Sequence, residues 1–468
     1  MDQQQTLCFV LAVWNDAYVD LYLNYALPTH LAPGNLDAVI NHNNVYCIFT
    51  RAIDKPRIES HPLFKKLTNL VNVRFTLVEE NITDNRLRAG YCFGLGVTFA
   101  KSISAAIVLV MPDVLFSAGS FQYISQQLKH GYRAILVACH TTEATTAVKL
   151  LETYIASDGI INITGRTCVD ILMSAMHNNT KEKFYLEQGG NLMPGCLCWY
   201  VGEQGILTHG LHLTPIAVLP RDMEHQFLGT IDREFIEEAN IQATEILVVE
   251  DSDSCAMFEI AAATHIIDSP YKKGNPDDIV DWAIIHANNQ HRATFTDPSR
   301  LKSNKFNDEA AWQQVELQAQ SLIAYVQHKL TQNKFSIPHY IKFRYAYLRK
   351  FILTLHSLEW QQKKYKWHKI GKLIVAAHKK YLVLAAVFAG MQSKLRNDLL
   401  KKIYYWPRRL ENSNMPLAGL IPRLEQLTLK HKSPMLVQMF LFPIVYPLTL
   451  LGICIFNLLV GGLQIVRN

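Results

Sequence analysis

The stretch Leu7-Cys8-Phe9-Val10-Leu11-Ala12-Val13-Trp14 decides the fold, and Asn15-Asp16 closes it. It is short, apolar and unbroken. A strand covered on one face alternates apolar with polar residues, whereas a continuous run suits a strand with helices on both faces. From Asp16 to His30 apolar and aromatic residues recur every three or four positions, until Pro28 and the turn Ala32-Pro33-Gly34-Asn35 end the pattern. The next run, Val45–Thr50, completes a β-α-β opening, whose crossover is right-handed. Working outward, the runs Val73–Val78, Ala106–Phe116, Ala134–His140 and Ile246–Glu250 alternate with amphipathic stretches to about residue 300. The expected class is α/β, a Rossmann-like mixed sheet flanked by helices.

At 468 residues the chain is long enough for two or three domains, and its 49% apolar content excludes a disordered chain. The nine cysteines are scattered and include no C-x-x-C pair, so neither a zinc ribbon nor a disulfide framework is expected. A reducing compartment fits them. The start, Met1-Asp2-Gln3-Gln4-Gln5, has no basic flank of the kind that opens a signal peptide.

The net charge of +6 hides an asymmetry: residues 321–468 carry 23 Lys and Arg against four acids, leaving the first 320 residues acidic. Lys363, Lys364, Lys366, Lys369 and Lys372 interleave with Tyr365 and Trp367, a mixture suited to anionic headgroups and the interface beneath them. From Met435 to Val466 there are 32 residues without a charge, more than the ~20 apolar residues that a spanning helix needs. Pro443 and Pro447 leave open a re-entrant hairpin as well as a span. The expected organisation is an α/β domain over 1–303, a basic helical, membrane-proximal region over 304–433 and a membrane anchor over 434–468. The basic flank places the body on the cytoplasmic side. Anionic membrane is a better partner for that charge than nucleic acid, which is not expected.

In an open α/β sheet, ligands sit outside the carboxyl ends of the strands. Trp14 and Asn15 follow the first strand there, Thr50 and Arg51 the second, and Asp113 stands in Val110-Met111-Pro112-Asp113-Val114, an acid costly to bury without a partner.

The segments Val13-Trp14-Asn15-Asp16-Ala17-Tyr18-Val19, Leu27-Pro28-Thr29 and Leu31-Ala32-Pro33-Gly34-Asn35-Leu36 resemble the start of a group of bacterial glycosyltransferase-like proteins, a likeness spanning roughly residues 6–265. The resemblance implies the GT-A fold, a nucleotide-sugar donor, and a Mn²⁺ or Mg²⁺ ion held by an Asp-x-Asp motif. Asp113 matches the second acid of that motif, but Met111 stands in place of the first, and a thioether is a poor ligand for a hard cation. Arg51 or Lys101 could neutralise a diphosphate instead. The resemblance makes His212 the late metal ligand alongside Asp113. For the catalytic base, Asp251 in Val249-Glu250-Asp251-Ser252-Asp253 is preferred, with Asp232 as a rival. Gly90-Tyr91-Cys92-Phe93-Gly94-Leu95-Gly96 has two readings: a helix start that sets Tyr91 beside a donor phosphate, or close packing of a helix on the sheet.

These expectations describe a membrane-associated glycosyltransferase acting on a lipid or lipid-linked glycan acceptor. The alternative is a non-catalytic binding or scaffold protein that keeps the fold.

Overall fold

The structure, a computed structural model, describes residues 5–78, 85–185, 194–220, 235–236, 239–265, 275–287 and 289–332. All lie in one compact unit, Met1–Phe335. The basic region beyond it, the apolar tail and Asp232 fall outside the described residues. Among those described, no helix is long and apolar enough to cross a membrane.

The strands are β1 (Leu7–Ala12), β2 (Val45–Thr50), β3 (Asn72–Leu77), β4 (Ala106–Leu109), β5 (Val114–Phe116), β6 (Ala134–Val137), β7 (His140–Glu143), β8 (Cys196–Tyr200), β9 (Gly205–Gly210), β10 (Thr214–Val218), β11 (Ile246–Val248), β12 (Met257–Ala261) and β13 (Ser299–Lys302). Seven form the main sheet in the order β11-β6-β10-β4-β1-β2-β3, in which β10 runs antiparallel to its neighbours β4 and β6. Two smaller sheets, β5-β12-β7 and β13-β9-β8, complete the body. The fold is thus mixed α/β, a seven-stranded mixed sheet flanked by helices, and β1 and β2 pair in parallel as the opening requires.

The unbroken apolar reading of β1 has a direct cause. Leu7, Phe9 and Leu11 enter one core with Phe121 and Ile124 of the helix Ser120–Lys129. Cys8 and Val10 enter another with Cys92, Val97 and Ala100 of the helix Asn85–Ser102. Both faces are dry, so neither tolerates a polar residue.

Three local expectations need correction. The run Ala106–Phe116 is two strands in two sheets, because Pro112 cannot donate to a ladder and the chain turns at Met111–Asp113. The run Ala134–His140 breaks in the same way after Val137, and His140 opens β7 in the smaller sheet. Pro28 does not end the first helical stretch. The helix Asp16–Leu21 widens to π hydrogen bonding over Tyr22–Ala26, ahead of the proline, and a last turn runs Leu27–His30.

The body also extends past residue 303. In the helix Glu309–Thr331, Trp312, Ile323 and Val326 share a core with Leu197, Leu207 and Phe295. Trp312 is fully buried, and the Arg300 guanidinium lies over its ring at 5.8 Å.

Candidate functional site

The order β3-β2-β1-β4 reverses direction between β1 and β4, where a doubly wound sheet opens its ligand crevice at the carboxyl ends. Trp14 and Asn15 leave β1 at this rim, and Met111-Pro112-Asp113 leaves β4 there.

Asn15 is held in an unusual conformation. Its φ of 66° and ψ of 159° lie in a region otherwise almost confined to glycine. Two contacts hold it there. Its side chain accepts the Tyr18 N–H at 3.1 Å and so caps the helix Asp16–Leu21, and its own N–H donates to Asp54 Oδ2 at 3.2 Å. Arg51 grips the same carboxylate twice, Nε to Oδ2 at 2.6 Å and Nη2 to Oδ1 at 3.0 Å. Burial raises the Asp54 pKa, but the Arg51 hydrogen bonds and the Asn15 N–H outweigh it and hold the group below the ordinary range. The Arg51 charge is therefore engaged with Asp54. Thr50 is fully buried beside it, and its hydroxyl has no hydrogen-bond partner among the described residues.

Asp113 meets a second carboxylate. Its backbone carbonyl accepts the Ile260 N–H at 2.8 Å, and β12 lies against β5 with Glu259 opposite Val114. Burial, and then the Glu259 carboxylate, push Asp113 up to about 7. Glu259 Oε2 accepts the Thr141 hydroxyl at 2.9 Å. Tyr18, 40% exposed, faces both acids: burial and then their charges raise its phenol. Among the described residues no lysine or arginine forms an ion pair with either carboxylate. Two partly buried acids without a cationic partner can share a proton, or can grip a divalent cation through hard oxygens. Asp113 and Glu259 are therefore oxygen donors of the type that could hold a Mg²⁺ or Mn²⁺ ion.

The other expected residues are differently placed. His212 reaches the same rim, two residues before Thr214, which pairs with Val137 at the carboxyl end of β6. Its ring, however, lies 5.5 Å from that of His291 and 6.1 Å from Trp282. Asp251 follows β11 and is ion-paired with Lys302, while its Oδ1 accepts the Asp253 N–H at 2.8 Å. Asp253 in turn is held twice by Arg166, at 2.8 Å in each bond. Asp113, His212 and Asp251 thus approach one edge of the sheet with separate partners.

Lys101 lies at the opposite edge, in the last turn of the helix Asn85–Ser102 that leads into the amino end of β4. Gly90, Gly94 and Gly96 are interior to that helix, so no glycine loop precedes it, and Tyr91 projects from its middle, 41% exposed. A Cβ on Gly96 would stand 2.8 Å from a Val10 methyl, which makes close packing the reason for that glycine. The segment that carries the family likeness is largely structural. Asn35 Nδ2 donates to the Thr29 and Ser117 carbonyls at 2.8 and 3.1 Å, and its Oδ1 accepts the Phe121 N–H at 3.0 Å.

Sequence reasoning missed Glu259, Tyr18 and Thr141. Glu259 carried a readable signal, a single acid inside the apolar strand Met257-Phe258-Glu259-Ile260-Ala261, as Asp113 did. A cavity of about 390 Å³ lined by His209, Glu316, Ile323 and Gln327 offers no comparable chemistry, since its carboxylate is taken by Arg300.

No family model matches the chain, and no curated protein matches it. Among solved structures it is similar to one assigned as a glucose-1-phosphate thymidylyltransferase from Bacillus anthracis, in complex with sucrose. There the identity is 11%, the TM-score is 0.20, and 30% of this chain and 57% of that one are covered. It is likewise similar to mouse xyloside xylosyltransferase 1 in its apo form, at 10% identity and a TM-score of 0.20, with 32% and 58% covered. The chain thus spans somewhat over half of each.

Proposed function

We propose that the protein is a glycosyltransferase of the nucleotide-sugar type, working at the carboxyl rim between β1 and β4. The observation that carries this reading is the Asp113–Glu259 pair, two acids brought to the switch point of the sheet without a cationic partner among the described residues. A Mn²⁺ or Mg²⁺ ion held there by Asp113 and Glu259 would neutralise the donor diphosphate. Trp14 and Thr50, both buried, would support that rim from beneath. Arg51 is taken up by Asp54 and would shape the rim, leaving the diphosphate charge to the cation. The acceptor is a lipid or lipid-linked glycan, delivered at the cytoplasmic face of a membrane that the basic region and apolar tail engage; this part rests on sequence alone. Of the two expected bases, Asp251 would need to release Lys302 before accepting a proton.

A second reading, a binding protein that keeps the fold without turnover, is favoured by that Asp251–Lys302 pair and by Met111. One experiment separates the two: the full-length chain in detergent, incubated with a panel of nucleotide sugars with and without Mn²⁺. Metal-dependent donor hydrolysis that vanishes in Asp113→Ala supports the transferase. Nucleotide binding without release of sugar supports the second reading, and no binding to any nucleotide sinks the first.

A further inference from the structure

Behind the carboxylate pair lies a cluster of different chemistry. β8 carries Cys196 and Cys198 two residues apart, which sets both side chains on one face of the strand. The register of β8 with β9 puts Thr208 opposite Cys198, and His140 opens β7 beside them. His140 and Cys198 are fully buried, and Cys196 is 9% exposed. The ligand atoms of His140, Cys196 and Cys198 all lie within 4.8 Å of one another.

We propose that His140, Cys196 and Cys198 form a binding site for a borderline-soft divalent cation of the zinc type. The spacing fits the geometry. Bonds of about 2.3 Å to sulfur and 2.0 Å to nitrogen in a tetrahedron give a nitrogen–sulfur edge of roughly 3.5 Å. His140 Nε2 stands 3.7 Å from Cys198 Sγ. The Thr208 hydroxyl occupies the direction of a fourth corner, 3.1 Å from His140 Nε2 and 3.6 Å from Cys198 Sγ. Two thiolates and one imidazole match such a cation and suit Mg²⁺ or Ca²⁺ poorly. The charges also balance: two thiol protons leave, and the two thiolates neutralise the ion.

A disulfide is the weaker use of this pair. Residues two apart on a strand have Cα atoms about 6.6 Å apart with parallel side chains, at the upper limit of disulfide geometry. Lys183 opposes metal in one respect. Its Nζ lies 3.3 Å from His140 Nδ1, and metal at Nε2 would move the ring proton to Nδ1, turning the ammonium away toward the Cys139 carbonyl, now 3.4 Å distant.

The test uses the full-length chain, reduced, stripped with chelator and titrated with Co²⁺. A thiolate-to-cobalt charge-transfer band saturating at one equivalent is expected, together with near-stoichiometric zinc in protein purified without chelator. Cys196→Ser and Cys198→Ser should abolish the band, and Cys8→Ser should leave it intact. The proposal is overturned if the wild-type chain gives no thiolate band, or if the band survives in the Cys196→Ser/Cys198→Ser double variant.

Discussion

Asp113 stands beside Glu259 because its backbone carbonyl accepts the Ile260 N–H at 2.8 Å, so the strand pairing itself brings the two acids together. Burial of Asp113, and then repulsion from Glu259, leaves a signature in pH. An unfolded aspartate loses its proton near pH ~3.9, while the folded chain retains the Asp113 proton to about pH 7. The folded state binds more protons in that window, so this contribution to stability falls as pH rises through it and is lost above. Asp113→Asn removes the effect. Urea midpoints should show the variant more stable than wild type at pH 8 and level with it below pH 4; equal differences at both would contradict the raised Asp113 pKa.

A divalent cation should relieve the same repulsion. Binding at ten times its Kd stabilises the folded chain by about 1.4 kcal/mol. Mn²⁺ should therefore raise Tm at pH 8, do little at pH 5, and lose its effect in Glu259→Gln. A shift that persists in that variant would place the cation elsewhere.

The backbone of Asn15 makes a different prediction. Conformations of this kind cost about 1–3 kcal/mol and persist only where neighbours enforce them. Asp54→Ala withdraws the acceptor of the Asn15 N–H and leaves Arg51 without this partner, and should cost roughly 2 kcal/mol. In an Asn15→Gly background, where the conformation is free of strain, the same change should cost about 1 kcal/mol less. Additive effects in the double variant would mean that Asp54 does not enforce the geometry.

The helix Glu309–Thr331 should prove inseparable from the α/β body. Trp312→Ala is expected to cost about 3–5 kcal/mol, and a chain ended at residue 303 should expose the core around Leu197, Leu207 and Phe295 and bind a hydrophobic dye. A cooperative melt of that shorter chain, at the temperature of one ended at 332, would show the helix to be dispensable.

Legibility followed the physics of each segment. Val45–Thr50 is β2 residue for residue, because a strand buried on both faces reads as an apolar block with polar ends. The block Ala106–Phe116 misled for the same reason: apolarity reports burial, and nothing in it distinguishes one sheet from the next. Asp113 was visible as a lone acid among apolar residues. Its partner came from a strand far along the chain, and no local pattern states which strands will pair. Cys196 and Cys198 were passed over because metal spacing was sought as C-x-x-C, whereas on a strand the period of two makes C-x-C the spacing that puts both sulfurs on one side.

The chain leaves the main sheet for the β5-β12-β7 sheet three times, after β4, after β6 and again after β11. Each exit sets chemistry at or beside the connection: Asp113 at the first, Cys139 and His140 at the second, Asp251 and Asp253 at the third. Substitution along this seam can therefore retune the acids, the thiols or the imidazole while the seven-stranded scaffold keeps its hydrophobic layers, and new specificities could arise there without reinventing the fold.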